Sequence, residues 1–432
     1  MFIMDPEQEL TPDLLQDFIN KHKSKAIELN KKMKMYKGSY DILTQDPKES
    51  FKPDNRLMVN FAKYIVDTLN GYFIGCPIKT VHDNTAVSDY IELVQKYNDQ
   101  DDNNAELSKL CSIYGHAYEL LFVDEAAQVG ITYINPEEAF IIYDDSIRRN
   151  PLYAVRYYTN QDKELEGTYS DSEGIYYFND SNGLRITDVE PHYFGDVPMI
   201  EYVENEERQG TFDNVVTLIN AFNKAISEKA NDVDYYADAY LLVLGAVLDE
   251  ETLKKLRDSR IINMSAEDLN NLKIEFLSKP SSDETQEHLI DRLEKLIFHI
   301  SMVANINDEN FGNATGVSLK YKLQSMSNLA AVKERKFASG MNRRWNLISN
   351  LPQSKIGVDD WLGIEYQFTR NIPANLLEET EIAKNLQGIT SEETQLKVIS
   401  AVENVKNEMD RKNQETLDKN PLQGGYSTLG GV

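Results

Sequence analysis

Gly312 and Gly316 bracket the stretch Gly312-Asn-Ala-Thr-Gly316, just ahead of a run of helical periodicity. Backbone amides in such a place can hold a phosphate at a helix start. A nucleotide-binding loop also ends in Lys followed by Ser or Thr. Here Val317 and Ser318 follow instead, and no GxGxxG or GxSxG occurs elsewhere in the chain. The six histidines, at 22, 82, 116, 192, 288 and 299, show no HExxH or other ligand spacing. Asp99, Asp101 and Asp102 imitate the opening of a calcium loop. Its sixth position is Asn104 rather than Gly and its twelfth is Leu110 rather than Glu, so they read as a solvated turn. Asp144-Asp145 reads as a turn after a strand. Cys76 and Cys111 form no CxxC pair, which argues against a disulfide framework and for a reducing compartment. No metal, no cofactor and no enzymatic activity are expected.

One charge pattern remains. Between Thr315 and Trp345 lie Lys320, Lys322, Lys333, Arg335, Lys336, Arg343 and Arg344 against one acid, Glu334. The whole chain of 432 residues has 71 acidic and 45 basic residues, a formal net charge of −26. That balance opposes a broad grip on DNA or on an anionic membrane. The local reversal suits a solvated helix face or ion pairs between subunits of an assembly. A sharper reading has Lys320 and Lys322 meeting a polyanion.

The elements around this stripe are long. Leu289, Leu293, Leu296, Ile297, Ile300 and Val303 recur at helical spacing, and Val317, Leu319, Leu323, Met326, Leu329 and Val332 resume it. A helix from Thr315 to Leu351 would be roughly 54 Å long. Between the two runs, residues 305–314 are too polar for a core. Upstream, Thr11 caps and Pro12 opens a helix to about Tyr36. Its basic end, Lys31, Lys32, Lys34 and Lys37, suits the negative end of the helix dipole. A second helix is expected from about Arg56 to Phe73, with Leu57, Phe61, Tyr64, Ile65 and Leu69 on one side, and shorter ones near 86–97 and 104–114. From His116 to Tyr202 the period changes to two. Strands are expected at Tyr118–Val123, Ile131–Ile134, Ala139–Tyr143, Tyr153–Tyr158, Ile175–Phe178 and Leu184–Thr187. A helix follows over about 211–240, its apolar side including Val233. Next come strands at Leu241–Val247, Ile261–Met264 and Ile274–Leu277 with a helix at 250–258. After the long helix, a strand at Gly363–Phe368 precedes helices near 374–386 and 391–418. No signal peptide is expected, and the longest apolar run falls short of a membrane span. With 41% hydrophobic and 27% charged residues the chain reads as folded and soluble, with a sizeable core.

At these residues the chain resembles the portal proteins of tailed bacteriophages, of the type found in siphophages of Gram-positive hosts. The resemblance is carried by DENFGNATGVSLKYK at 308–322 and AVKER at 331–335. It is supported in order by NFAKYIVD at 60–67, GYFIG at 71–75, HYFGDVP at 192–198, KAND at 229–232 and ADAYLLVLG at 237–245. It implies an α+β portal-type fold assembled as a ring of about twelve subunits. Double-stranded DNA would enter and leave the capsid through that ring. On this reading 1–210 is the wing, joined by the long helix and returning strand of 317–370. The stem is 211–239 and 283–304, and the clip 240–282. The tunnel loop spans 305–316, the crown 371–420, and a flexible tail 421–432. The C-terminal part looks short for an extensive crown. Asn307, Asp308, Glu309, Asn310, Phe311, Gly312 and Asn313 would line the channel, with Lys320 and Lys322 beside them. Glu250, Glu251 and Lys255 would dock partners at the clip. Implied partners are the terminase large subunit, a head-completion adaptor, the major capsid and scaffolding proteins, and the DNA itself, with no membrane. The protein would act in the virion, and in the host cytoplasm during assembly. A different class of reading is an acidic scaffold or adaptor that binds proteins and forms no DNA channel.

Overall fold

The computed structural model describes residues 1–49, 52–181, 183–237, 241–244, 273–276, 283–306, 319, 321–372, 376–399, 401–402 and 405–419. They fall into two compact units: the described residues up to 306 with 322–370, and those from 371 onward with 319 and 321.

The larger unit is built on a six-stranded sheet ordered β1-β5-β6-β7-β8-β9. Its strands are β1 (Phe2–Ile3), β5 (Ala139–Tyr143), β6 (Pro151–Thr159), β7 (Leu165–Ser170), β8 (Gly174–Asn179) and β9 (Arg185–Pro191). Only β1 pairs in parallel, placing Phe2 beside Ile142. One face is covered by α1 (Pro12–Tyr36), where Thr11 Oγ1 accepts from the Leu14 amide and Pro12 opens the first turn. Leu15, Phe18 and Ile19 of α1 meet Phe140, Val155 and Tyr169 of the sheet in one core. His22 is buried with them. Its Nε2 donates to the Pro136 carbonyl at 3.0 Å, and its Nδ1 lies 2.7 Å from the Tyr157 hydroxyl. Burial lowers its pKa to about 4, so near pH 7 the ring is neutral and Nδ1 accepts from that hydroxyl.

A short α2 (Asp41–Thr44) leads to α3 (Phe61–Ile74), then come β2 (Lys79–Val81), α4 (Thr85–Tyr97) and α5 (Gln100–Tyr114). A second sheet, β10-β3-β4, joins β10 (Met199–Val203), β3 (His116–Val123) and β4 (Val129–Ile134). Then follow α6 (Val216–Ala237), the antiparallel pair β11 (Leu241–Leu244) and β12 (Lys273–Phe276), α7 (Asp283–Ser301) and α8 (Gln324–Ser349). β13 (Glu365–Gln367) returns antiparallel to β2. The smaller unit carries α9 (Leu376–Asn385), α10 (Glu392–Lys397) and α11 (Val405–Lys419).

Several expectations are corrected. The helix expected from Arg56 begins at Phe61, because Asn60 caps it and residues 55–59 run extended along α6. Leu57 is accordingly 42% exposed rather than on an apolar helix face. The long helix begins at Gln324. Leu323 turns out of the ladder at φ −85, ψ −4 and buries its side chain. At 26 residues α8 is about 39 Å long. On α7 the core stripe is Ile290, Leu293 and Ile297, so Leu289 and Ile300 stand exposed, as does Val233 of α6. The helix expected over 391–418 is two, α10 and α11, and strands β1, β2, β7 and β10 are not among those expected.

Candidate functional site

α6 and α7 pack side by side and run antiparallel. Near one end Gln286 Nε2 donates to Asp232 Oδ2 at 2.9 Å, and Lys229 pairs with Glu287. Near the other, Phe61 of α3 sets its ring edge against both Phe222 of α6 and Phe298 of α7.

The extended segment before α3 is fastened to α6 by a polar ladder. Asn223 Oδ1, Ser227 Oγ and Asn231 Oδ1 accept the amides of Val59, Leu57 and Asn55 at 2.8, 2.9 and 2.6 Å. The spacing follows from geometry: four helical residues rise about 6.0 Å, and two extended residues about 6.6 Å. Side chains at i, i+4 and i+8 of a helix thus match every second amide of a strand. All three ladder residues are buried.

α7 ends at the base of the segment read as a tunnel loop. Met302 there has φ +59, the left-handed backbone that commonly ends a helix but favours glycine. Val303 is buried again, and the Ile306 amide donates to the Tyr64 hydroxyl of α3 at 2.9 Å. Tyr64 also sets its ring against Phe298. The chain is therefore pinned to α3 where it leaves the helix. Beside this junction opens a cleft of about 600 Å³ lined by Asp291, Glu294, Lys295, Phe298, His299 and Lys322.

The basic stripe is resolved mostly into pairs within one chain. Lys333 is buried and meets Glu204 at 2.7 Å, the Ser108 carbonyl at 2.9 Å and Ser112 Oγ at 2.6 Å. Arg344, fully buried, forks onto both oxygens of Glu119 at 2.8 and 2.5 Å and donates to Asn104 Oδ1 at 2.8 Å. Burial opposes the Arg344 charge, but Glu119 and the neighbouring tyrosines hold its pKa above the usual value. Arg343 reaches Asp196 at 3.1 Å, and Lys336 pairs with Glu206. Those acids lie on or near β3 and β10 or in the turns after them, so the stripe clamps α8 to the second sheet. The ion pairs expected between subunits are instead intramolecular for these four residues. Gly340 permits the approach, since a Cβ there would stand 2.5 Å from the Tyr202 ring.

Of the residues singled out as channel-lining, only Lys322 is described; it is exposed and lines the cleft. Asn307, Asp308, Glu309, Asn310, Phe311, Gly312, Asn313 and Lys320 lie outside the described residues, as do Glu250, Glu251 and Lys255. The expected helix at 250–258 and strand Ile261–Met264 lie outside them too. Sequence reasoning gave Tyr64 only a place on an apolar helix side and passed over Met302 and the Asn223-Ser227-Asn231 ladder. The ladder left a signal, three small polar residues at four-residue spacing inside an otherwise amphipathic helix. Asp144 caps a turn, accepting from the Asn150 amide at 2.8 Å. Among the described residues no cluster of His, Cys, Asp and Glu could hold a metal ion, and no helix is long and apolar enough to cross a membrane.

The sequence profile of the family described as "Phage portal protein, SPP1 Gp6-like" matches residues 15–421. The chain belongs to that family. It is 25% identical over 401 residues to the portal protein of Clostridium phage phiCD119, covering 85% of this chain and 86% of the relative. It is 24% identical over 430 residues to the portal protein of Bacillus phage SPP1, covering 92% and 82%. Among solved structures, a chain from the virion of a native gene transfer agent particle aligns with a TM-score of 0.47 at 11% identity, covering 78% and 89%. This is a phage portal protein, and hence a virion component, of mixed α+β fold.

Proposed function

We propose that copies of this chain close into a ring of about twelve at one capsid vertex, forming the channel for packaging and ejection of double-stranded DNA. The observation that carries this is the family match along nearly the whole chain. The antiparallel α6–α7 pair is the stem, and β11–β12, following directly on α6, opens the clip. Residues 305–316 are the tunnel loop, held at their base by Tyr64. The two sheets with α1–α5 and α8 are the wing, and the smaller unit is the crown. The clip docks the terminase motor and later the head-completion adaptor, while the wing meets capsid and scaffolding proteins. Assembly takes place in the host cytoplasm.

The electrostatics support a conduit. A wall of clustered cations would gain counterion-release energy at each phosphate and hold DNA fast. Here the chain carries −26, and Lys333, Lys336, Arg343 and Arg344 are committed to acids of the same chain. With no phosphate-binding loop in the sequence, the energy for translocation comes from a separate motor. The role is a passage rather than an enzyme.

The test is a phage in which this gene carries an early stop codon. Capsids should then lack DNA, and the gene supplied in trans should restore filling. DNA-filled, infectious particles without the protein would refute the portal role and favour the acidic-adaptor reading.

A further inference from the structure

The outer face of α1 reverses the sign of the chain. From Lys21 to Lys37 there are seven lysines and one acid, Glu28, in a protein of net charge −26. The inner face is committed to the sheet through Leu15, Phe18, Ile19 and His22. Lys32 is taken by Asp213 at 2.5 Å. The Lys21 and Lys25 ammonium groups sit over the rings of Phe18 and Phe2, 5.4 and 4.2 Å from their centroids. Lys23, Lys31, Lys34 and Lys37 are exposed, with no ion-pair partner among the described residues. Among them stands Ile27, 62% exposed. Like charges at i, i+3 such as Lys31 and Lys34 weaken an isolated helix, so this face gains from a partner that the chain itself does not supply.

A surface of opposite sign lies on a different element. Residues 162–190 carry eight acids and two bases. Within them β9 is the sheet's edge strand, paired only with β8, and all seven of its residues are exposed. Asp188 and Glu190 pair with the half-buried Tyr177 and Ile175 on one face of the hairpin, whereas Ile186 and Val189, 42% and 52% exposed, pair with Phe178 and Tyr176 on the other. The lysine face of α1 around Ile27 and the acidic face of the hairpin around Ile175 and Tyr177 are thus surfaces of opposite sign. Among the described residues no ion pair joins them within the chain. A closed ring needs such a pair of unlike patches, because its contacts are heterologous.

Resting on the portal-ring reading above, we propose that the basic outer face of α1 docks on the acidic β8–β9 hairpin of the neighbouring copy. Lys23, Lys31 and Lys34 would face Glu173, Asp188 and Glu190, with Ile27 against the half-buried Ile175 and Tyr177 on that same face. Duplex DNA is the competing occupant of a basic helix. It matches the charge but leaves Ile27 and the exposed β9 unexplained.

The test uses the full chain in three forms: K23E/K31E/K34E, the reciprocal E173K/D188K/E190K, and both sets combined. Sedimentation across protein concentration and salt reads ring formation, and circular dichroism checks folding. Each triple variant alone should raise the concentration for half-assembly by roughly tenfold or more at low salt, from several pairs each turned repulsive. The combined variant should return to within about threefold of the wild type, since only the signs are exchanged. Wild-type assembly by either single set, or no recovery on combination, overturns the pairing. So do intact rings of K23E/K31E/K34E with a lost gel shift of linear duplex DNA, which would assign the face to nucleic acid. If that variant fails to fold, the reciprocal set, whose three positions are all exposed, decides alone. A wild-type chain that never forms rings would defeat the ring reading itself, and this pairing with it.

Discussion

Replacing Arg344 with Met should destabilise the larger unit strongly. In the native chain both Glu119 oxygens are held by the guanidinium, at 2.8 and 2.5 Å, with the two side chains 0% and 2% exposed. Without Arg344 the carboxylate keeps the Tyr202 hydroxyl at 3.0 Å and a marginal contact from Gln100 at 3.5 Å. Removing one partner of such a pair costs about 3–5 kcal/mol, because the other charge stays buried and uncompensated. That is a large share of the roughly 5–15 kcal/mol that holds a domain folded. Replacing both partners, R344M/E119L, should recover most of the loss, since the desolvated charge leaves with the pair. The assay is a denaturant midpoint followed by circular dichroism at one fixed protein concentration, because assembly adds concentration-dependent stability. A loss below about 1 kcal/mol for R344M, or a double variant whose cost is the sum of the singles, would refute the reasoning.

Three further outcomes are expected. Asn223→Ala, Ser227→Ala and Asn231→Ala should each cost about 1–3 kcal/mol by leaving a strand amide unpaired; near-neutral denaturant midpoints for all three would make the ladder incidental. Acid should destabilise the fold: burial lowers the pKa of His22 and of His116 to about 4, so the unfolded chain takes up more protons as pH falls from about 6.5 to 4. Each should contribute about 3 kcal/mol over that window, present above pH 6.5 and lost toward pH 4, and a melting temperature flat across it would contradict the neutral, buried His22. Shortening the loop between Asp308 and Asn313 should leave ring assembly unchanged, because closure entropy varies slowly with length. DNA packaged per procapsid should nevertheless fall, and normal packaging would defeat the tunnel-loop assignment.

Local chemistry made much of the fold legible. Thr11-Pro12 marked the start of α1, and alternation located most strands to within a few residues. What escaped depended on contacts distant in sequence. β1 is two residues long and is a strand only because β5, near residue 142, pairs with it. β7 has Leu165, Gly167 and Tyr169 on one face, but the glycine reads as a breaker. Its reason is tertiary, since a Cβ there would stand 2.2 Å from the Arg156 carbonyl oxygen. The start of α3 was misplaced because amides that would have begun a helix are taken by α6. At the candidate site the sign of the α8 stripe was readable, whereas its partners Glu119 and Glu204 lie far upstream and only folding joins them. On α7 two apolar stripes lie side by side, and periodicity alone does not say which one the monomer buries.

The central claim is a closed ring around a DNA channel, and native mass spectrometry of the purified full-length protein tests it most directly. The account predicts discrete closed oligomers at or near twelve copies that persist on dilution. Monomer or dimer alone, across protein concentration and salt, would contradict it.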